Sequence, residues 1–265
     1  MIGMYVFKLD KQRYIDGLIK HGIKRTFVES QSDNAEWAIK ELIKNGIVCE
    51  TIHAPFDKIN DMYSENEEDA KAMQNRLFHS IDLCEKFNIP VVITHLSSGR
   101  PMPPITPLAE KRFKEVFDYA DKKGVKIALE NLRYAENLIY FLDKYKNTYF
   151  CYDSGHQYCR DTNTEFLEMY GDRLIALHLH DNRCELDTDD HLLPFDGKID
   201  FSLVAKQLAK TNFSGTIMYE LCRYPNLDGK IVYEDLTDDE YFKLAKERCL
   251  KFESMVEEER KKLNK

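Results

Sequence analysis

Six β-rich runs of this chain end in a side chain that can ligate a metal or move a proton. They are ETIH ending at His53, VVITH at His95, KIALE at Glu130, YFCYD at Asp153, LIALH at His178 and TIMYE at Glu220. His156 follows just beyond Asp153, and His180, Asp181, Asp189 and His191 follow beyond His178. Imidazole and carboxylate donors suit zinc, manganese, cobalt or iron(II), and a carboxylate-rich set also suits magnesium. Of the eight histidines, only His21 and His79 fall in expected helices. One polar residue at a strand end reads as a cap or a satisfied polar group. Six together read as one ring, provided that the strands point the same way.

The elements that would position them alternate. Strands are expected at 2–6, 25–29, 49–53, 91–95, 126–130, 148–153, 174–178 and 216–220. Most are short apolar runs rich in β-branched or aromatic residues, as strands buried on both faces should be. Helices are expected between them. Ala70, Met73, Leu77, Ile81 and Cys84 share one face of 66–87. Phe113, Val116, Phe117 and Ala120 share one face of 107–123, with Thr106 as cap, Pro107 at the first position and Gly124 after the end. Phe242, Ala245, Cys249, Phe252 and Val256 form a stripe along 238–262.

Strand then helix, eight times, predicts an α/β fold: a single (β/α)8 TIM barrel over residues 1–265, with its active site at the C-terminal face of the strands. The 265 residues suit one such barrel. An open doubly wound sheet is the alternative. It would carry a Gly-rich phosphate loop, and neither G-x-G-x-x-G nor G-x-x-x-x-G-K-[ST] occurs.

Composition narrows the partners. The formal charge of −8 argues against nucleic acid, which wants a basic face. No secretory-signal pattern and no apolar run long enough for a membrane span is found. The seven cysteines are odd in number and form no Cys-x-x-Cys, so reduced thiols in a cytoplasmic protein are expected.

The stretches IHAPF, ITHLSSG, ALENL, YDSGH, LHLHDN, DDHLLPFDGKIDF and GTIMYE, spread over 53–220, resemble the xylose isomerase-like TIM barrel superfamily. That superfamily includes sugar isomerases and epimerases and is related to endonuclease IV. The resemblance to the ketose epimerase branch implies a metal held by Glu130, Asp153, His178 and Glu220, with His156 near the substrate. The endonuclease branch implies additional metal ligands at His53, His95, His156, Asp189 and His191. His178 is preferred to His180 as ligand, because the family pattern has a carboxylate three residues on, and that is Asp181. His180, Arg183 and Glu136 are then candidates for substrate contact, each with a bland alternative as a core or solvated loop residue.

The expected function is a metal-dependent isomerase or epimerase acting on a sugar, sugar phosphate or related polyol through an enediolate-type intermediate. Glu130 and Glu220 would be the acid/base pair. The alternative is a zinc-dependent endonuclease IV-like phosphodiesterase. Against that alternative stands the acidic run after His53, with Asp57, Asp61, Glu65, Glu67, Glu68 and Asp69 against Lys58 and Lys71. A dehydratase or a non-catalytic binding barrel remains open on the same residues.

Overall fold

The computed structural model describes residues 1–32, 34–99, 101–159 and 165–263. In chain order it gives β1 (Ile2–Phe7), α1 (Lys11–Lys20), β2 (Arg25–Glu29), α2 (Ala35–Lys44), β3 (Val48–His53), a 3-10 turn (Ile59–Tyr63), α3 (Glu67–Phe87), β4 (Val91–Thr94), α4 (Pro107–Lys122) and β5 (Lys126–Glu130). It continues with α5 (Glu136–Lys144), β6 (Thr148–Asp153), α6 (Ser154–Tyr158), α7 (Phe166–Tyr170), β7 (Leu174–His178), α8 (Phe201–Lys210), β8 (Ile217–Cys222), the short β9 (Asn226–Leu227) and β10 (Lys230–Ile231), and α9 (Asp238–Leu263). All eight expected strands are present. The alternation is that of the (β/α)8 class.

The chain packs as two compact units. One comprises Met1–Thr26, Glu41–Val48 and Tyr152–Lys265, and the other Phe27–Lys40 and Cys49–Cys151.

In the first unit β1 and β8 run parallel, from Ile2 opposite Ile217 to Phe7 opposite Cys222. β7 continues alongside β8: the Leu179 N–H donates to the Met218 carbonyl, and the Glu220 N–H to the Leu179 carbonyl. This register sets the end of β7 beside Glu220. The expected stripe on α9 is buried at Phe242, Ala245, Cys249, Phe252 and Val256. Burying each of Phe242, Phe252 and Val256 contributes about 1.5–3 kcal/mol of transfer free energy. Gly17 lets α1 pack on α9, because a Cβ there would overlap the Phe242 ring.

In the second unit the parallel order is β2-β3-β4-β5-β6. His53 lies opposite Ile93, and Glu130 opposite Cys151. The helices cover this sheet through Leu77, Ile81 and Cys84 of α3 and Phe113, Val116, Phe117 and Ala120 of α4. The expected cap on α4 forms, with the Thr106 hydroxyl accepting from the Ala109 N–H at 3.1 Å. Among the described residues no helix is long and apolar enough to cross a membrane.

Candidate metal centre

In the first unit the sequence Asp-Ser-Gly-His at 153–156 bends β6 into α6, and each of its residues has a separate task. Asp153 is fully buried and caps α6, its Oδ1 accepting from the His156 N–H at 2.6 Å. The Ser154 hydroxyl donates to the His180 carbonyl at 2.7 Å and accepts from the His180 N–H at 3.0 Å. That fixes the backbone just past β7. Gly155 leaves room for the His180 ring, which a Cβ there would overlap. His156 sets its Nδ1 3.6 Å from Asp153 Oδ1 and its Nε2 3.3 Å from Asp189 Oδ2.

His178 and His180 lie on one face of the chain leaving β7, as the period of two requires. Both are fully buried. His178 Nδ1 is 3.5 Å from Glu220 Oε2. His180 Nε2 is 3.3 Å from Asp153 Oδ1 and 3.6 Å from Asp189 Oδ1. His191 Nε2 reaches the same Asp189 Oδ1 at 3.3 Å. Burial works against charge on Asp189, but the imidazoles of His191 and His156 outweigh it and hold the carboxyl well below its usual range. Burial likewise opposes charge on His191, yet Asp189 outweighs it and raises the imidazole to about 9.

Asp181, three residues after His178, anchors the following loop. Its carboxylate accepts from the N–H groups of Asn182 (2.7 Å), Gly197 (2.8 Å) and Ile199 (3.1 Å). Burial pushes this carboxyl up, and the three donors oppose that shift. The loop is closed by paired backbone bonds between Asp181 and Leu192, both 3.0 Å. Asp189 and His191 are thereby held on a fixed ring of chain.

The second unit holds a matching cluster. His53 Nε2 and His95 Nε2 lie 3.3 and 3.5 Å from the same oxygen, Glu130 Oε2. His53 Nδ1–H donates to the Ala54 carbonyl at 2.8 Å, which turns Nε2 toward the carboxylate. The two imidazoles meet edge to face at 5.0 Å. Glu130 is 1% exposed.

The remaining candidates sit outside these clusters. Glu136 is the exposed first residue of α5. The Arg183 guanidinium grips Asp190, Nε to Oδ2 at 3.0 Å and Nη2 to Oδ1 at 3.2 Å, and also reaches Asp228 at 2.6 Å. Asp190 was not among the candidates, although the Asp-Asp-His doublet was a visible signal for it. In the acidic run, Glu67, Glu68 and Asp69 form the first turn of α3, where the helix dipole favours them.

Residues 21–240 match the family model described as Xylose isomerase-like TIM barrel. The chain belongs to this family. The uncharacterized protein y4fM of Sinorhizobium fredii is 30% identical over 237 residues, covering 80% of this chain and 72% of that protein. Three solved structures share the fold. A D-tagatose 3-epimerase-like protein superposes with TM-score 0.75 at 19% identity, over 97% of this chain and 99% of the other. D-Psicose 3-epimerase of Clostridium cellulolyticum H10 gives 0.76 at 16%, again over 97% and 99%. The IOLI protein with a binding zinc atom gives 0.74 at 18%, over 97% and 99%. The family fold is the expected TIM barrel. The buried imidazole and carboxylate donors of each unit fit a divalent cation in type and burial.

Proposed function

We propose that this chain is a metal-dependent isomerase or epimerase of a sugar, sugar phosphate or related polyol. The observation that carries this reading is the meeting of fully buried His178, at the end of β7, with Glu220, in the C-terminal half of β8, Nδ1 to Oε2 at 3.5 Å, in an epimerase-like fold. Asp153 is the third donor in the same unit. The ends of all strands of a (β/α)8 barrel open on one face, and on that principle Glu130 at the end of β5 is assigned as the fourth. Residues 1–265 act as one barrel domain in this reading.

A divalent cation, whether manganese, zinc, cobalt or magnesium, would polarise adjacent substrate oxygens when bound. The protein's own part is proton transfer. One of Glu130 and Glu220, as carboxylate, takes the proton from the carbon beside the carbonyl. The other, starting protonated, delivers its own proton to the opposite face, so the two exchange protonation states and reset through solvent. His156 is assigned to a substrate hydroxyl. Glu136 and Arg183 are assigned to the rim, where hydroxyl or phosphate groups would arrive. That a D-tagatose 3-epimerase-like protein and a D-psicose 3-epimerase are among the structural relatives supports the substrate class. Six of the seven cysteines are buried and all are free, which suits a reducing, cytoplasmic setting.

The test follows a panel of ketoses and ketose phosphates by NMR in D2O, with metal-loaded protein. Deuterium entering one carbon-bound position of one sugar supports the reading. A panel with no exchange under manganese, cobalt, zinc and magnesium alike refutes it.

A zinc phosphodiesterase is the second reading. It is favoured by the two histidine pairs, His53 with His95 on Glu130 and His180 with His191 on Asp189. Elemental analysis of untreated protein separates the two, since close to three zincs per chain favours the phosphodiesterase.

A further inference from the structure

Asn182, the last residue of the stretch LHLHDN, is fully buried in the first unit. Its side-chain nitrogen donates to the Thr188 carbonyl at 2.9 Å and to the Gly155 carbonyl at 3.3 Å. Its Oδ1 accepts from the Thr188 hydroxyl at 2.5 Å. A carbonyl oxygen can only accept, so the amide faces these groups one way round. The backbone of Asn182 is pinned as well. Its N–H donates to Asp181 Oδ1 at 2.7 Å, and its carbonyl accepts from the Lys198 N–H at 2.8 Å.

Gly155 immediately precedes His156, and Thr188 immediately precedes Asp189. His156 and Asp189 are themselves bonded, Nε2 to Oδ2 at 3.3 Å. One side chain thus spans the turn that carries the imidazole and the loop that carries the carboxylate. That loop needs a hold. Cys184, Asp187 and His191 have φ of 57°, 62° and 49°. Left-handed backbone at such residues persists only where the surroundings over-determine it. From Cys184 to Asp187 the chain is exposed, and the bonds from Asn182 to Thr188 fasten it back.

The residue type follows from the partners. They call for two donors and one acceptor on one short side chain, which is the inventory of asparagine; an ionised aspartate has no donor. The consequence lies in the His156 ring. A carboxylate accepts, so Asp189 keeps the hydrogen of the neutral imidazole on Nε2. Which nitrogen carries it decides how the ring can bond a substrate hydroxyl.

We infer that Asn182 is a positioning residue: its amide clasps Gly155 and Thr188, and so holds Asp189 against His156 and fixes the tautomer and orientation of that imidazole. The substrate role of His156 rests on the proposed function, whereas the clasp can be tested without it.

The test uses the full chain loaded with magnesium and labelled with nitrogen-15 histidine. The His156 signals, assigned by their loss in His156→Gln, should show one tautomer in wild type, with the hydrogen on Nε2. Asn182→Asp keeps the shape and the acceptor and removes both donors. It should give a mixed-tautomer signal, and a kcat on the exchanging sugar lower by about 10–100-fold, as for loss of a partner that orients a functional imidazole. Magnesium affinity and a cooperative melt should be retained. Thr188→Val removes one of the three bonds and should move the spectrum the same way by less, while Thr188→Ser keeps the hydroxyl and should restore the single tautomer. A single Nε2–H tautomer that persists in Asn182→Asp overturns the inference. So does a loss of magnesium affinity as large as the loss of turnover, which would make the clasp a general support of the loop. If Asn182→Asp fails to fold, Thr188→Val against Thr188→Ser decides, and identical spectra overturn it. If no sugar exchanges, the proposed function falls and the tautomer spectrum still decides the clasp.

Discussion

Asp189 and His191 face each other at 3.3 Å, Oδ1 to Nε2, and each shifts the other's ionisation. His191 is raised from 6.5 to about 9 in spite of its burial, chiefly by Asp189. A group whose folded pKa is raised stabilises the fold fully below its unfolded value, and that contribution is lost as pH rises through the folded value. Chelator-treated protein should therefore lose thermal stability between about pH 6.5 and about pH 9. A cation needs the neutral imidazole and takes the place of that proton. The Tm gained on adding zinc should thus grow across the same window. Melting curves in chelator and in zinc, taken through that range, check this. A zinc-induced gain that shrinks with rising pH would contradict it.

Arg183 holds Asp190, the residue between Asp189 and His191, by both guanidinium bonds and by a backbone N–H at 2.9 Å. Arg183→Met should free this dipeptide. The expected effect is that of losing an outer-shell partner, about 10–100-fold in the affinity of one metal equivalent. Asp228, the other partner, is 85% exposed, and an exposed pair contributes little. Asp228→Asn should leave metal affinity and Tm unchanged. Calorimetric titration of both variants checks the pair; equal losses would place the role in the loop as a whole rather than in Asp190.

Glu130→Gln and Glu220→Gln each keep the volume of the side chain and remove the base. Loss of a positioned general acid or base costs about 10²–10⁴-fold in turnover. Each variant should lose at least that on the sugar identified by exchange, with a cooperative melt retained. Glu220→Gln with normal turnover would remove it from the acid/base pair. A broadened melt would assign it a structural role instead.

Strand positions were legible because buried parallel strands are short, apolar and β-branched, and their ends differ from expectation by no more than the usual fraying. β8 shows the limit, expected at 216–220 and found at Ile217–Cys222. The polar residues at strand ends were equally legible, since nothing in a buried strand explains an Asp153 or a His178. What was not legible is the loop chemistry. The three backbone donors on Asp181 come from positions as far as Ile199, and no local pattern announces them. Gly155 has no positive φ and no turn signature, so only the His180 ring beside it explains the residue. Arg183 looked free to meet substrate, because its partner Asp228 lies 45 positions away.

The final prediction concerns DNA. A nuclease that neutralises several phosphates gains affinity from counterion release and loses it steeply with salt. The segment after His53 offers the opposite field. Glu67, Glu68 and Asp69 occupy the first turn of α3 because the helix dipole favours carboxylates there, yet they remain exposed. Arg76 is turned to Asp57, and Arg112 to Glu67 and the carbonyls of Met62 and Ser64. These cations are therefore engaged within the unit. Zinc-loaded protein should leave an abasic-site duplex intact, and should show no DNA retention that falls with salt. The check is incubation with labelled duplex at low and high ionic strength, with Glu220→Gln as control. Strand cleavage by wild type that disappears in Glu220→Gln would establish the phosphodiesterase reading, since the variant shares the acidic run and differs only at the candidate metal centre.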